Sequence, residues 1–173
     1  MNAKQNPSLT NTGRFFSSGV VAVAFLLGLQ AQPLLASDQV PFRASFSTLS
    51  ETEFVPPGTF VVTVIGDGKA LHMGKTSSFT IGTITPTGLT TATGASTATV
   101  TAANGDQIVF ENTFAGGFAG VAFVFEGTYT VVGGTGRFAG VTGSGRMVGF
   151  SRLSDSVGEF QYIGTISSPG SAN

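Results

Sequence analysis

Between Val131 and Gly143 the chain reads Val-Val-Gly-Gly-Thr-Gly-Arg-Phe-Ala-Gly-Val-Thr-Gly, so an alternating strand pattern stops, a glycine-dense turn intervenes and a second strand pattern begins. Gly133, Gly134, Gly136, Gly140 and Gly143 let the backbone reach positive φ or approach a neighbour closely, while Phe138 and Val141 supply apolar anchors that pin the corner to a core. A corner of this kind belongs between two antiparallel strands. It fixes backbone geometry and says nothing of a reaction.

The rest of the chain beyond residue 36 follows the same logic, with almost no helical periodicity and a great deal of alternation. Phe42 to Ser47 alternates apolar with polar, and Thr59 to Ile65 is a β-branched run entered through Pro56-Pro57-Gly58. Gly66-Asp67-Gly68 reads as a tight connection, and Lys69 to Ile84 as a polar-leaning segment that bends at Gly74 and ends at Pro86-Thr87-Gly88. Ser96 to Ala102 and Gln107 to Phe114 flank Ala103-Asn104-Gly105-Asp106, whose Asn-Gly pair is the strongest local hairpin signal in the chain. Val121 to Val132, Thr142 to Arg152 and Ser156 to Ile166 complete a set of about eight strands. Short sequential strands joined by tight turns suit a single closed or nearly closed antiparallel β-barrel, which removes the exposed edges of an open sheet; a sandwich is the other arrangement this pattern allows. Phe residues dominate one set of alternating positions and Thr, Ser and Gly the other, so the aromatic face is expected to be the packed one. With 16 Phe and no Trp, the expected core is apolar and nearly free of polar handles.

The first 36 residues read as a secretory signal peptide: Lys4 and Arg14 form a basic n-region without acids, Phe15 to Leu29 is an apolar h-region, and Gln30 to Ala36 ends it, with Pro33 breaking the helix and Ala36, or alternatively Ala31, at the cleavage position. The apolar run falls short of the about 20 residues of a membrane span, so no transmembrane segment is expected after cleavage. Residues 37–173 then form one β-barrel domain, secreted or periplasmic. The leader takes two of the 8 basic residues and none of the 9 acidic ones, leaving a formal charge of −3 with six basic residues scattered along the chain. Nucleic-acid binding, which needs clustered Lys and Arg, is excluded. Cysteine is absent, which removes disulfides and thiolate chemistry and leaves the core and the strand ladders to hold the fold. An outer-membrane barrel needs aromatic girdles, and 2 Tyr with no Trp argue against one.

Val131 to Gly143 resembles the Gly-Gly-Thr-Gly-Arg/Lys-Phe corner of the dirigent proteins and, more loosely, of the allene oxide cyclase barrel superfamily. The wider pattern is similar to a family of exported bacterial proteins of unknown function that shows a His-Leu-Gly-Lys/Arg segment, an Ala-Asn-Gly-Asp hairpin, a Gly-Thr-Tyr segment before the glycine corner and a terminal Gly-Thr-Ile-Ser. Here those stretches read His72-Met73-Gly74-Lys75, Ala103 to Asp106, Gly127-Thr128-Tyr129 and Gly164-Thr165-Ile166-Ser167, spanning Lys69 to Ser167. The resemblance implies a barrel, and it allows a homo-oligomer. It also implies one of two activities: dirigent proteins steer the coupling of phenoxy radicals and the cyclase closes an epoxide-derived ring, each in a barrel cavity lined by a few carboxylates or arginines. The shared motifs are turns and glycines, which specify geometry far better than chemistry.

Candidate site residues are few. Strand parity puts Glu111, Glu126 and Glu159 opposite the aromatic positions and therefore in solvent, unless a bulge shifts the alternation. Asn112 shares a face with Phe110 and Phe114, and Arg146 shares parity with Val148 and Phe150, so both are candidates for an inward pocket. His72, the only histidine, shares a side with Thr76, Ser78 and Thr80; without a partner at metal or triad spacing, it reads as a rim residue bonded to a neighbouring strand, and as a weaker ligand candidate. Arg137 is expected to cap the corner by donating to free carbonyls. Tyr129 and Tyr162 are expected to plug the barrel with their hydroxyls at the rim, Tyr129 being the fourth ligand candidate. Gly133-Gly134-Thr135-Gly136 lacks the Lys-Ser/Thr ending of a phosphate loop. No catalytic residue, metal or cofactor is assigned. The expected function is non-enzymatic binding of a small apolar molecule or a partner, with a dirigent-like or cyclase-like enzyme as the alternative.

Overall fold

In the computed structural model, which describes residues 38–170, eight strands follow one another around a closed barrel, each paired antiparallel with the next and the last with the first. They are β1 (Gln39–Val55), β2 (Thr59–Ala70), β3 (Gly74–Pro86), β4 (Thr91–Ala102), β5 (Gln107–Ala119), β6 (Ala122–Gly134), β7 (Gly143–Arg152) and β8 (Val157–Ser167). Closure runs through the β1–β8 ladder, where Phe46 stands opposite Phe160 and Ala44 opposite Tyr162. The expected secretory segment lies outside the described residues. Among the described residues no helix is long and apolar enough to cross a membrane.

Closure turns the period-2 alternation into an inside and an outside. Even-numbered side chains of β1 to β5 and β8 face the interior, and odd-numbered ones of β6 and β7, as the alternating burial of Phe42, Ala44 and Phe46 or of Phe123, Tyr129 and Val131 records. One bulge interrupts this order. It lies in the β5–β6 ladder, where Val109 faces Gly133 and Phe110 faces Val131, leaving Val132 as the extra residue beside the glycine corner. Being at that end, it leaves the parity of Glu126 and Tyr129 untouched.

The two ends of the barrel differ. At the end holding the β2–β3, β4–β5 and β6–β7 connections, Phe42, Phe46, Ile108, Phe110, Phe138 and Ile166 are almost wholly excluded from solvent, and Phe138 and Val141 of the glycine corner are buried with them. Aromatic rings meet there at close range: Phe110 stacks on Tyr162 with centroids 4.7 Å apart, and Tyr129 meets Tyr162 edge-on at 5.0 Å. Such pairs add about 0.5–1.5 kcal/mol each beyond their buried area. The expected aromatic packing therefore holds for this half.

Two local expectations are corrected. Gly66-Asp67-Gly68 is no connection; it lies within β2, and the turn comes later, at Leu71–Met73. The reason is close approach, because a Cβ at Gly68 would collide with the β1 backbone and the Phe46 ring. On β3 the alternation is inverted relative to the aromatic rule, with Thr76, Ser78 and Thr80 buried inside while Phe79 and Ile81 stand exposed outside. The Asn-Gly hairpin forms as expected through residues 103–106, where Gly105 takes φ +89 and Ala102 N donates to Asp106 O at 2.9 Å.

Candidate functional site

At the end holding the β1–β2, β3–β4, β5–β6 and β7–β8 connections, the barrel opens into a cavity of about 550 Å³. The interior positions around it are narrow-bodied on one side: β4 contributes Ala92, Gly94 and Ser96. Elsewhere the aromatic side chains lie against cross-strand glycines. A Cβ at Gly94 would strike the Phe114 ring, one at Gly116 the Phe123 ring and one at Gly149 the Phe125 ring. These three rings, set beside bare backbone, line the cavity. Val62, Val64 and Phe60 of β2 complete an apolar surface.

The floor is polar. Asn112 follows Phe110 and precedes Phe114 among the inward residues of β5, so it marks the boundary between packed and open halves. It stands directly across the ladder from Ser96, to whose Oγ its Nδ2 donates at 3.1 Å, and it is only 2% exposed. Its Oδ1 has no partner, nor has the Thr80 hydroxyl beside the same floor. Tyr162 closes the floor; burial raises its pKa, a rise that the Asn112 amide opposes and Tyr129 reinforces.

Asn112 is thus the one sequence-derived candidate that lies on the cavity wall. Tyr129 is buried below the floor, not at a rim: its ring lies over Gly145 and Gly164, whose lack of side chains makes the room, and its unpartnered hydroxyl is pushed up to about 12 by burial. Arg146 projects from the outer wall, with its side chain 61% exposed and a loose ion pair to Glu126 at 3.8 Å. The sequence placed it by parity with Val148 and Phe150; the structure shows that these positions form the outward face of β7 and that Met147 is the inward one. His72 is exposed in the β2–β3 turn at the closed end, its φ at +69 and its Nε2 within 3.0 Å of the Pro41 carbonyl, so it does bond a neighbouring strand. Thr76, Ser78 and Thr80, with which it was grouped, instead face the interior.

Glu111, Glu126 and Glu159 are all exposed, as parity requires. Arg152 and Glu159 stand at the cavity mouth, and Arg152 is engaged by Asp155 at 2.7 Å. Among the described residues, no three His, Cys, Asp or Glu side chains gather as a metal ion requires.

The glycine corner serves the closed end. Gly133 and Gly134 finish β6, Gly136 and Gly140 take φ of +57 and +71, and a short 3-10 turn over Gly136–Phe138 drops Phe138 into the core. Arg137 does not cap carbonyls as expected; its Nε donates to Asp106 Oδ2 at 2.9 Å and its guanidinium lies over the Phe138 ring. A Cβ at Gly136 would collide with that same carboxylate. Asp106, held well below its usual pKa first by Arg137 and then by Asn104, thus ties the Asn-Gly hairpin to the corner.

Sequence reasoning missed Thr80, Ser96 and Tyr162 as floor residues. The signal was present in Thr76-x-Ser78-x-Thr80 and Ala92-x-Gly94-x-Ser96, small or polar residues recurring at period 2 on adjacent strands. Comparison of the chain with protein-family models, with curated proteins and with solved structures finds no match.

Proposed function

We propose that this chain is an exported β-barrel that binds a small apolar molecule in its open mouth and performs no chemistry on it. The observation that carries the reading is the construction of the mouth: Phe114, Phe123 and Phe125 are laid against glycine backbone around about 550 Å³ of space, a volume within the range of small-molecule sites. Leaving that much aromatic surface around an empty lumen forgoes burial that a filled barrel would gain, and a bound apolar molecule restores it. Export rests on the leader pattern of residues 1–36. The cyclase-like or dirigent-like alternative rests on the likeness of the glycine corner, and it calls for charged groups in the lumen, whereas the floor here offers an amide and hydroxyls. The charged Glu126–Arg146 pair and Glu111 on the outer wall favour a barrel surrounded by water.

Titration with an uncharged naphthylamine dye tests this. Saturable fluorescence enhancement at one dye per chain is expected, and Ala92→Phe, which places a ring in the mouth, should abolish it while the far-ultraviolet dichroism stays that of the parent. Enhancement that is absent, or unaffected by Ala92→Phe, refutes the assignment.

A further inference from the structure

The floor of the cavity carries an unmatched hydrogen-bonding inventory. Asn112 donates its amide nitrogen to Ser96 Oγ and interacts with the neighbouring Tyr162 hydroxyl, leaving a buried carbonyl oxygen that can only accept and makes no hydrogen bond. The Thr80 hydroxyl, across the β3–β4 ladder from Ala98, the next inward residue of β4 after Ser96, is buried and equally unpartnered. Native interiors leave few such groups unpaired, because each forfeits the hydrogen bonds it made to water. Both groups border the deep end of the apolar cavity already described, and a molecule seated there would meet an acceptor first and a donor-acceptor hydroxyl beside it.

Charge narrows the choice. The floor presents no cation to an entering carboxylate or phosphate and no anion to an amine; the two charged residues of the lining, Arg152 and Glu159, stand at the mouth. Burying an ionised head against Asn112 and Thr80 would carry an uncompensated desolvation cost. An ether or ester head would bring only acceptors to an acceptor and would leave Asn112 Oδ1 unpaired.

We propose that the molecule bound here is an uncharged apolar alcohol, inserted hydroxyl-first, donating to Asn112 Oδ1 and accepting from Thr80 Oγ1. Dividing the cavity volume by the roughly 30 Å³ that a small solvent molecule occupies in a liquid allows on the order of 15–20 non-hydrogen atoms. The proposal rests on the cavity being a binding site, and its test separates the two ideas.

Decanol, decyl methyl ether, decanoate and decylammonium share one apolar tail, and each is titrated into the full-length protein in competition with the uncharged dye. Decanol is expected to displace the dye about tenfold more tightly than the ether, the worth of one paired hydrogen bond, and the two ions more weakly still. In Asn112→Leu, of similar volume, the preference of alcohol over ether should vanish while the affinity for the ether is kept. Thr80→Val, which also preserves shape, should halve the same preference or more, and it supplies the reading if Asn112→Leu does not fold. Equal binding of decanol and the ether, or tighter binding of either ion, overturns the hydroxyl assignment and leaves apolar binding standing. Failure of the dye and of every probe to bind overturns both.

Discussion

Two alanines on the inner face of one strand give opposite answers to the same substitution if the barrel is packed at one end and open at the other. Ala92 borders the cavity, whereas Ala98, three inward positions further along β4, sits in the aromatic core and is fully buried. Replacing alanine by leucine adds three carbons. At Ala92 these enter existing space, and at about 0.8 kcal/mol per buried methylene the gain approaches ~2.4 kcal/mol if they are fully covered, or about 1 kcal/mol with the mouth open to water. At Ala98 there is no space to enter, so neighbouring rings must shift or leave their rotamers, at a cost of about 1–3 kcal/mol. The pair should therefore differ by about 2–5 kcal/mol, with Ala92→Leu neutral or stabilising and Ala98→Leu destabilising. Urea unfolding of the full-length protein measures this. With a slope of about 1–3 kcal/mol per molar urea, the two midpoints separate by roughly one molar or more, on opposite sides of the parent. If Ala92→Leu loses as much stability as Ala98→Leu, the mouth is filled by its own side chains in solution, and the cavity argument fails.

Two further outcomes follow from titrating groups. Asp106 has a folded pKa below its ordinary 3.8, so its bond to Arg137 contributes stability above that value and loses it as pH falls through the lowered one; the urea midpoint should drop in acid for the parent and drop less for Asp106→Asn, and identical acid profiles would refute the link between hairpin and corner. The two tyrosines are shifted the other way by burial, Tyr129 to about 12, so they stabilise the fold below the ordinary value of 10.0 and cease to as pH rises toward and beyond 12. Phenolate absorbance should therefore appear only in that strongly alkaline range, together with the loss of the fold, and a titration centred near 10 would show that the rings are not buried.

The eight strands and their order were legible because turn chemistry marks the strand ends: Pro56-Pro57-Gly58 and Ala103 to Asp106 fall between strands, and Pro86-Thr87-Gly88 and the glycine corner straddle the ends of β3, β6 and β7. Glycines within strands were harder to read. Gly66 and Gly68 look like a turn in sequence, and only the approach of β1 explains them as part of a wall. The site was half legible. Asn112 could be placed inward because its strand carries Phe110 and Phe114 two residues to either side, whereas Arg146 could not, since β7 alternates Gly143, Gly145, Met147 and Gly149 inward with Val148 and Phe150 outward, and apolarity there points the wrong way. Parity reasoning assigns a face only when the side chains on that face are larger than those on the other. On β7 the inward positions are mostly bare because aromatics of β6 and β8 occupy the space above them.

A chain with so many phenylalanines is nonetheless not filled by them along its whole length. At the closed end Phe42, Phe46, Phe110 and Tyr162 meet rings from other strands and leave that end solid, although Phe42 and Phe46 also stand across their ladders from Gly164 and Gly68. At the open end Phe114 and Phe125 stand across from Gly94 and Gly149, and the Phe123 ring reaches diagonally to Gly116. Glycines face rings in both halves, so the division of this apolar interior into a core and a receptacle is marked by its polar residues and not by glycine alone. The division falls at Asn112 and Ser96, where the strand would otherwise continue its apolar series, and a polar pair at that depth stops the packed rings from extending and gives whatever enters from the mouth a floor with which to form hydrogen bonds.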